Sequence, residues 1–417
     1  MNEPSLPDRT PLPQAPALER SLSLLQATLY GLGVTVGAGI YVLIGAAADR
    51  AGMHAPIAFV LAAVLMAFTA ASFAELAGRL PVAAGEAAYV REGFRSDRLA
   101  TAVGLLVVGV SIAAAAAISV GSAGYVAVFL ALPEKALIAL VVVAMGAVAA
   151  WGINESVTFA GIMTVIEVGG LLVLVLAGVM SEPGVVARLP EALPSLADAA
   201  ALAGIAGTAL LAVFAFLGFE SLANVAEEVR EPKRTLPRAI LLTLAIAAVL
   251  YALVAWVSLV SVPTAELAQS KAPLALVFER LTGASPRTMS AIAIVATLNG
   301  VIVQIIMGSR VLYGLARQGS LPAWLGRVDA LTRTPLLATL VASGIVLLLA
   351  LLLPLQHLAD ITARLTLAVF ALVNLSLARI KARDVAPPSG FAVPAWVPWA
   401  GFAVCLALIV LDLALRT

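Results

Sequence analysis

Eleven apolar runs, each long enough to cross a bilayer, decide what this chain can fold into. They fall near residues 24–48, 54–78, 99–132, 134–151, 157–180, 200–225, 237–262, 287–316, 335–353, 358–379 and 396–415. About 20 apolar residues rising about 1.5 Å each cover the roughly 30 Å of hydrocarbon in a membrane. No water reaches the backbone there, so each run must satisfy its own N–H and C=O groups as a helix. The sequence therefore predicts an all-α polytopic membrane protein. With 62% hydrophobic and 12% charged residues and a net charge of +1, the chain has lipid for surroundings and no basic surface for nucleic acid. A single cysteine, Cys405, excludes an intrachain disulfide. Two histidines, His54 and His357, make a histidine-rich metal or catalytic site unexpected, and no cofactor is expected. Residues 1–20 are polar and proline-rich without a signal-peptide core, and read as a disordered cytoplasmic tail.

Lysine and arginine orient the spans. With the N-terminus inside, seventeen of them fall in cytoplasmic connections and seven outside. An odd number of spans then places the C-terminus outside the plasma (bacterial inner) membrane. Residues 79–98 mix Pro81 and Gly85 with apolar residues, and read either as a segment dipping into the cytoplasmic mouth or as an ordinary interfacial helix. On the outer side, residues 264–282 read as a short surface helix serving as a lid.

The first span is a poor helix. It contains Gly31, Gly33, Gly37, Gly39 and Gly45, each less favourable than alanine by about 1 kcal/mol in a helix interior. Opening the helix at Gly37-Ala38-Gly39 frees backbone groups at mid-membrane, which is tolerable where they line a cavity or meet a ligand. Gly33-x-x-x-Gly37 is also a motif for close helix packing, and the first span alone leaves both readings open. The sixth span is interrupted at Gly218 and followed at once by Glu220. A carboxylate inside a span is by default functional, the alternative being a helix end facing water. Spans 1–5 and 6–10 each begin with an interrupted helix, and an odd number of crossings inverts the second set against the first. Paired interruptions in inverted halves point to a transporter binding site.

The ordered motifs G-V-T-V-G-A-G-I-Y-V-L-I-G, A-E-L-A-G-R-L-P-V-A-A-G-E-A-A-Y-V, F-A-F-L-G-F-E-S, A-E-E-V-R-E-P-K-R-T-L-P-R-A-I and S-R-V-L-Y-G-L-A-R-Q-G-S-L-P resemble the amino acid–polyamine–organocation superfamily of permeases. The resemblance implies two inverted five-helix repeats, residues 21–180 and 181–380, with helices 1 and 6 unwound around the substrate. Residues 381–417 then supply one further helix, where the family usually has two. Carried over by position, the amides of Ala38 and Gly39, beside Gly37, hold a substrate carboxylate, in keeping with an exposed helix N-terminus. The carbonyls of Thr35, Phe214 and Leu217, beside Gly218, accept from its ammonium group. Phe214, Phe216 and Phe219 are candidate gate aromatics, with Phe214 favoured as a site residue.

The resemblance points to a secondary active transporter of amino acids working by alternating access. No phosphate loop supports a pump, and no catalytic motif or filter sequence supports an intramembrane enzyme or a channel. The Ala113–Ala117 run, Ser119, Asn299 and Gln304 offer a small, neutral side-chain pocket, favouring neutral over cationic amino acids or polyamines. Arg364 in helix 10 reads as the i, i+4 partner of Asp360. Glu167, ten residues into helix 5 with no basic residue in that helix, is the candidate proton-coupling group, with Glu220 in gating. Burial disfavours its charged form. The alternatives are a permanently neutral, hydrogen-bonded glutamate or a carboxylate that binds sodium.

Overall fold

The computed structural model describes residues 22–37, 39–81, 85–152, 157–182, 184–383 and 390–414, apart from the side chains of 157–160, Asn224 and Glu227. The expected N-terminal tail, residue Ala38 and residues 82–84 of the 79–98 connection lie outside the described residues. Fifteen α-helices are found among those described: α1 Leu24–Val36, α2 Gly39–Ala51, α3 Ala55–Arg79, α4 Gly85–Phe94, α5 Asp97–Val126, α6 Glu134–Trp151, α7 Val157–Ser181, α8 Ala199–Ala215, α9 Pro232–Ser261, α10 Thr264–Gln269, α11 Pro273–Thr282, α12 Pro286–Arg317, α13 Leu336–Leu352, α14 Leu355–Arg383 and α15 Trp396–Ala414. A 3-10 segment, Phe219–Glu228, continues from α8.

Nine segments among the described residues are long and apolar enough to cross a membrane, and α1 and α13 are shorter apolar helices. One of the nine, Gly39–Arg79, runs to 41 residues, about twice a bilayer. It joins α2 to α3 through the turn at Gly52–His54, where Gly52 has φ +54°. Helices α1 and α2 have 13 residues each and are about 20 Å long, so neither spans alone and together they make the first crossing. Counting α1 with α2, α3 by itself and the shorter α13, the described residues hold eleven candidate crossings by length and composition.

Equivalent members of the two halves lie on one another: α3 along α9, α5 along α12 and α6 on α13. These are the second, third and fourth crossings of each five read from the sequence, so the two sets of five meet along them. Helix α1 packs on α9 and α7, and α2 on α8, which places both broken crossings at the centre. Residues 264–282 form two short helices where the sequence suggested one. Ser270 is extended and Pro273 restarts the helix at its first turn.

The arginine-rich end of the bundle, called here the basic end, is tied by Glu75 of α3. This fully buried carboxylate accepts from Arg79 Nε at 2.8 Å, from Lys381 Nζ at 2.8 and 2.9 Å, and from the Val393 amide at 2.7 Å. It joins α3, α14 and the strand of chain leading into α15. Replacing one partner of a buried pair leaves the other charge uncompensated, at about 3 kcal/mol or more. Glu75→Ala should therefore lower unfolding stability in detergent by about 3 kcal/mol, since Lys381 is left half-buried without its anion; an unchanged midpoint would refute this hub.

Candidate functional site

The two interruptions lie back to back. Helix α1 stops at Val36 and α2 resumes at Gly39, while α8 stops at Ala215 and the chain turns through Phe216-Leu217-Gly218. A Cβ on Gly39 would lie 2.8 Å from both the Cβ and the carbonyl oxygen of Ala215, closer than real carbon contacts allow. Gly218 has φ +134°, in the region glycine favours, and a Cβ there would lie 2.5 Å from Thr35 Oγ1 and 2.6 Å from Thr35 N. Glycine at both positions is what lets the broken helices touch.

Backbone groups freed by the breaks find partners nearby. The Tyr251 hydroxyl, from α9, lies 2.7 Å from the Thr35 carbonyl and 2.9 Å from that of Ala215. One hydroxyl hydrogen is thus shared between a carbonyl of each broken helix. Glu220 Oε2 accepts from the Gly218 amide at 2.9 Å, and the Phe214 carbonyl accepts from the Leu217 amide at 3.2 Å. Thr35, Gly37, Gly39, Phe214, Leu217, Gly218 and Glu220 are all buried. Glu220 therefore does not stand at a helix end facing water. Phe216 packs on Tyr251 with ring centres 5.1 Å apart, and Phe219 packs on Phe73 and Phe370, as core aromatics do. Tyr251 was not singled out from the sequence. Its signal is a lone phenol in an otherwise apolar stretch of α9, whose hydroxyl must find a partner.

Glu167 of α7 is fully buried beside the break in α1. Its Oε1 accepts from Asn299 Nδ2 of α12 at 3.4 Å, whereas Oε2 has no partner. The place a Cβ of Gly37 would occupy lies 3.1 Å from that oxygen, 3.1 Å from the Ala296 carbonyl and 2.9 Å from the Gly33 carbonyl. Three oxygens from α1, α7 and α12 therefore converge on one point. Gly33 itself is pressed against Thr164 of α7, so the first span is both interrupted and closely packed. Asn299, assigned from the sequence to the side-chain pocket, instead serves Glu167; Ser119 is turned back onto the Ala115 carbonyl of its own helix. The Glu167 carbonyl accepts from Tyr41 OH at 2.7 Å, the Tyr41 carbonyl from Tyr125 OH at 2.6 Å, and Tyr125 OH accepts from the Leu274 amide at 3.4 Å. This chain of phenols links the site to α11 at the far end of the bundle.

Each end is closed. At the far end Arg50, in the last turn of α2, makes a bidentate pair with Asp360 of α14 at 3.1 Å and also donates to the Gly207 carbonyl of α8 at 3.3 Å. The expected Asp360–Arg364 pair does not form. Arg364 instead meets Asp412 of α15, because the planar fork of Arg50 takes both oxygens of Asp360. At the basic end α4 packs against α14, α5 and the 219–228 segment, burying Glu86 and Tyr89, so residues 85–94 lie in the mouth and not merely along it. Burial pushes the Glu86 carboxyl up to about 7, and Glu220 lies near enough to repel it. Arg379 stacks on Phe94, and Lys381 and Arg383 serve Glu75 and Glu92, so these cations of α14 are engaged elsewhere.

The family model for amino acid permeases matches residues 22–414. The chain belongs to that family. The branched-chain amino acid permease BcaP of Bacillus subtilis is 28% identical, over 94% of this permease and 88% of its own length. An uncharacterized transporter of Mycobacterium tuberculosis is 32% identical over 80% of this permease and 74% of its own length. The vacuolar cationic amino acid transporter 4 of Arabidopsis thaliana is 28% identical over 89% of this permease and 64% of its own length. The protein is therefore an integral membrane transporter of amino acids and not an enzyme.

Two outcomes follow from this geometry. Gly39→Leu should abolish amino acid uptake at near-normal membrane expression, since its side chain would wedge α2 from Ala215; wild-type uptake would return Gly39 to simple packing. For Glu86 the buried state holds its proton more tightly than a solvated carboxyl does. Docking of α4 thus loses stability as pH rises from about 4.5 to about 7 and is flat above. Glu86→Gln cannot ionise, so its gain in melting temperature over wild type should be largest above pH 7 and shrink towards pH 4.5. A difference independent of pH would contradict the burial.

Proposed function

We propose that this permease couples proton movement to the transport of neutral amino acids by alternating access, with Glu167 as the proton-binding group. The observation that carries the proposal is the meeting of Glu167 Oε2 with the carbonyls of Gly33 and Ala296 beside the break in α1. An ionised oxygen facing two carbonyls is repelled by both. A protonated one donates to one of them and ties α7 to α1 or α12. Losing the proton removes that tie and biases the equilibrium between the two access states.

The substrate is held where the two breaks meet. Its carboxylate lies at the start of α2, on the amides of Ala38 and Gly39, and its ammonium group faces the carbonyls of Thr35, Phe214 and Leu217. The Thr35 carbonyl also accepts from Tyr251, which fixes its direction and leaves it a second lone pair. Neutral side chains are favoured because the other carboxylates named here around the core already have partners, Glu167 being assigned to the proton. Asp360 is paired with Arg50, Asp412 with Arg364 and Glu75 with Lys381, and Glu220 accepts from the Gly218 amide. The N-terminus and the basic end face the cytoplasm, as the distribution of lysine and arginine requires.

In proteoliposomes Glu167→Gln should retain exchange of a neutral amino acid at equal pH and lose accumulation driven by an inward proton gradient. Full proton-driven accumulation by this variant would overturn the assignment. Accumulation by the wild type that requires sodium would give the three converging oxygens to that ion instead.

A further inference from the structure

In a protein whose described residues are otherwise helical or irregular, one isolated β-bridge stands out: Leu22 pairs in parallel with Val229. The Leu22 amide donates to the Glu228 carbonyl at 3.0 Å, and the Arg230 amide donates to the Leu22 carbonyl at 2.9 Å. Leu22 is the residue just before the N-cap of α1, where Ser23 and Gln26 form a capping box. Val229 is the extended residue between the 3-10 segment and α9, and Glu231 beyond it adopts a left-handed conformation (φ +46°) that turns the chain into α9. The bridge therefore fastens the start of one broken crossing to the end of the other, at the basic end.

Both bridge residues are buried, at 1% and 0% exposure. Next to the bridge α1 also packs closely on its neighbours: a Cβ on Gly31 would lie 2.5 Å from Thr243 Oγ1 of α9 and 2.9 Å from Leu222 Cδ1 of the 3-10 segment. Such contacts slide or part without leaving a donor unpaired, whereas parting the bridge frees two amides and two carbonyls at once. We propose that the Leu22–Val229 bridge is the latch of the basic-end mouth, closed in this structure, and that it must open each time the mouth opens to release substrate. The inference rests on the alternating-access reading above, and on α1 and the 219–228 segment being the parts that separate.

Two experiments in a Cys405→Ala background test the latch. Paired strands lie about 4.8 Å apart, inside the Cα separation of about 4.4–6.8 Å that a disulfide spans. Leu22→Cys/Val229→Cys, oxidised with copper phenanthroline and verified by loss of free thiols, should lose amino acid counterflow and regain it with reductant. Leu22→Pro removes the donor to Glu228. It should raise labelling of a Ser221→Cys reporter, buried at 3%, by about threefold to tenfold, the shift one net hydrogen bond supports. Full counterflow by the crosslinked protein, or reporter labelling unchanged by Leu22→Pro, would overturn the latch. No counterflow even after reduction counts against the transport reading instead, and the labelling comparison, which needs no substrate, still decides the latch.

Discussion

The shared hydroxyl of Tyr251 is the interaction on which the centre of this protein depends. A helix broken inside hydrocarbon leaves carbonyls that lipid cannot satisfy, and each orphan is expensive. Two breaks placed back to back, with one phenol bridging Thr35 and Ala215, resolve this with a single donor. The arrangement also makes the breaks interdependent. Moving either helix alone takes its carbonyl away from the hydroxyl and leaves the other to hold it. The close approach at Gly39 and Gly218 works in the same direction, because neither glycine can move towards its neighbour.

Carboxylates show the same economy of partners with different outcomes. Glu75 is saturated by two cations and an amide and works as a structural tie. Asp360 is saturated by Arg50 and closes the far end. Glu167 alone among these keeps an oxygen without a partner, at the junction of α1, α7 and α12. An incompletely satisfied buried acid gains or loses a proton at lower structural expense than a saturated one, which is why the proposed coupling role falls to Glu167 before Glu75 or Asp360.

Much of this was legible in the sequence, because hydrocarbon imposes one rule on every span. The eleven crossings follow from run lengths, and both interruptions from Gly37, Gly39 and Gly218. Side-chain partners far apart in the chain were not legible. The Asp360–Arg364 pairing was a reasonable local reading, but Arg50 approaches from 310 residues away and wins by its bidentate geometry. Asn299 looked like a pocket residue because nothing in the apolar run of α12 indicates that it faces Glu167. Tyr251 escaped notice because a phenol in an apolar helix announces a need for a partner without naming it. The single surface helix at 264–282 became two because Pro273 restarts the chain after an extended Ser270.

Equilibrium binding of a radiolabelled neutral amino acid to purified protein, wild type against Tyr251→Phe, bears most directly on the claim that the meeting of the two breaks is the substrate site. Removing one hydroxyl leaves the ring packed on Phe216 and Phe59 but releases both carbonyls it held. Affinity should fall by about tenfold, the equivalent of about 1.4 kcal/mol, and the melting temperature of the ligand-free protein should fall as well, because both buried carbonyls lose their donor. Unchanged affinity in a folded Tyr251→Phe protein would contradict the account and move the substrate away from the breaks.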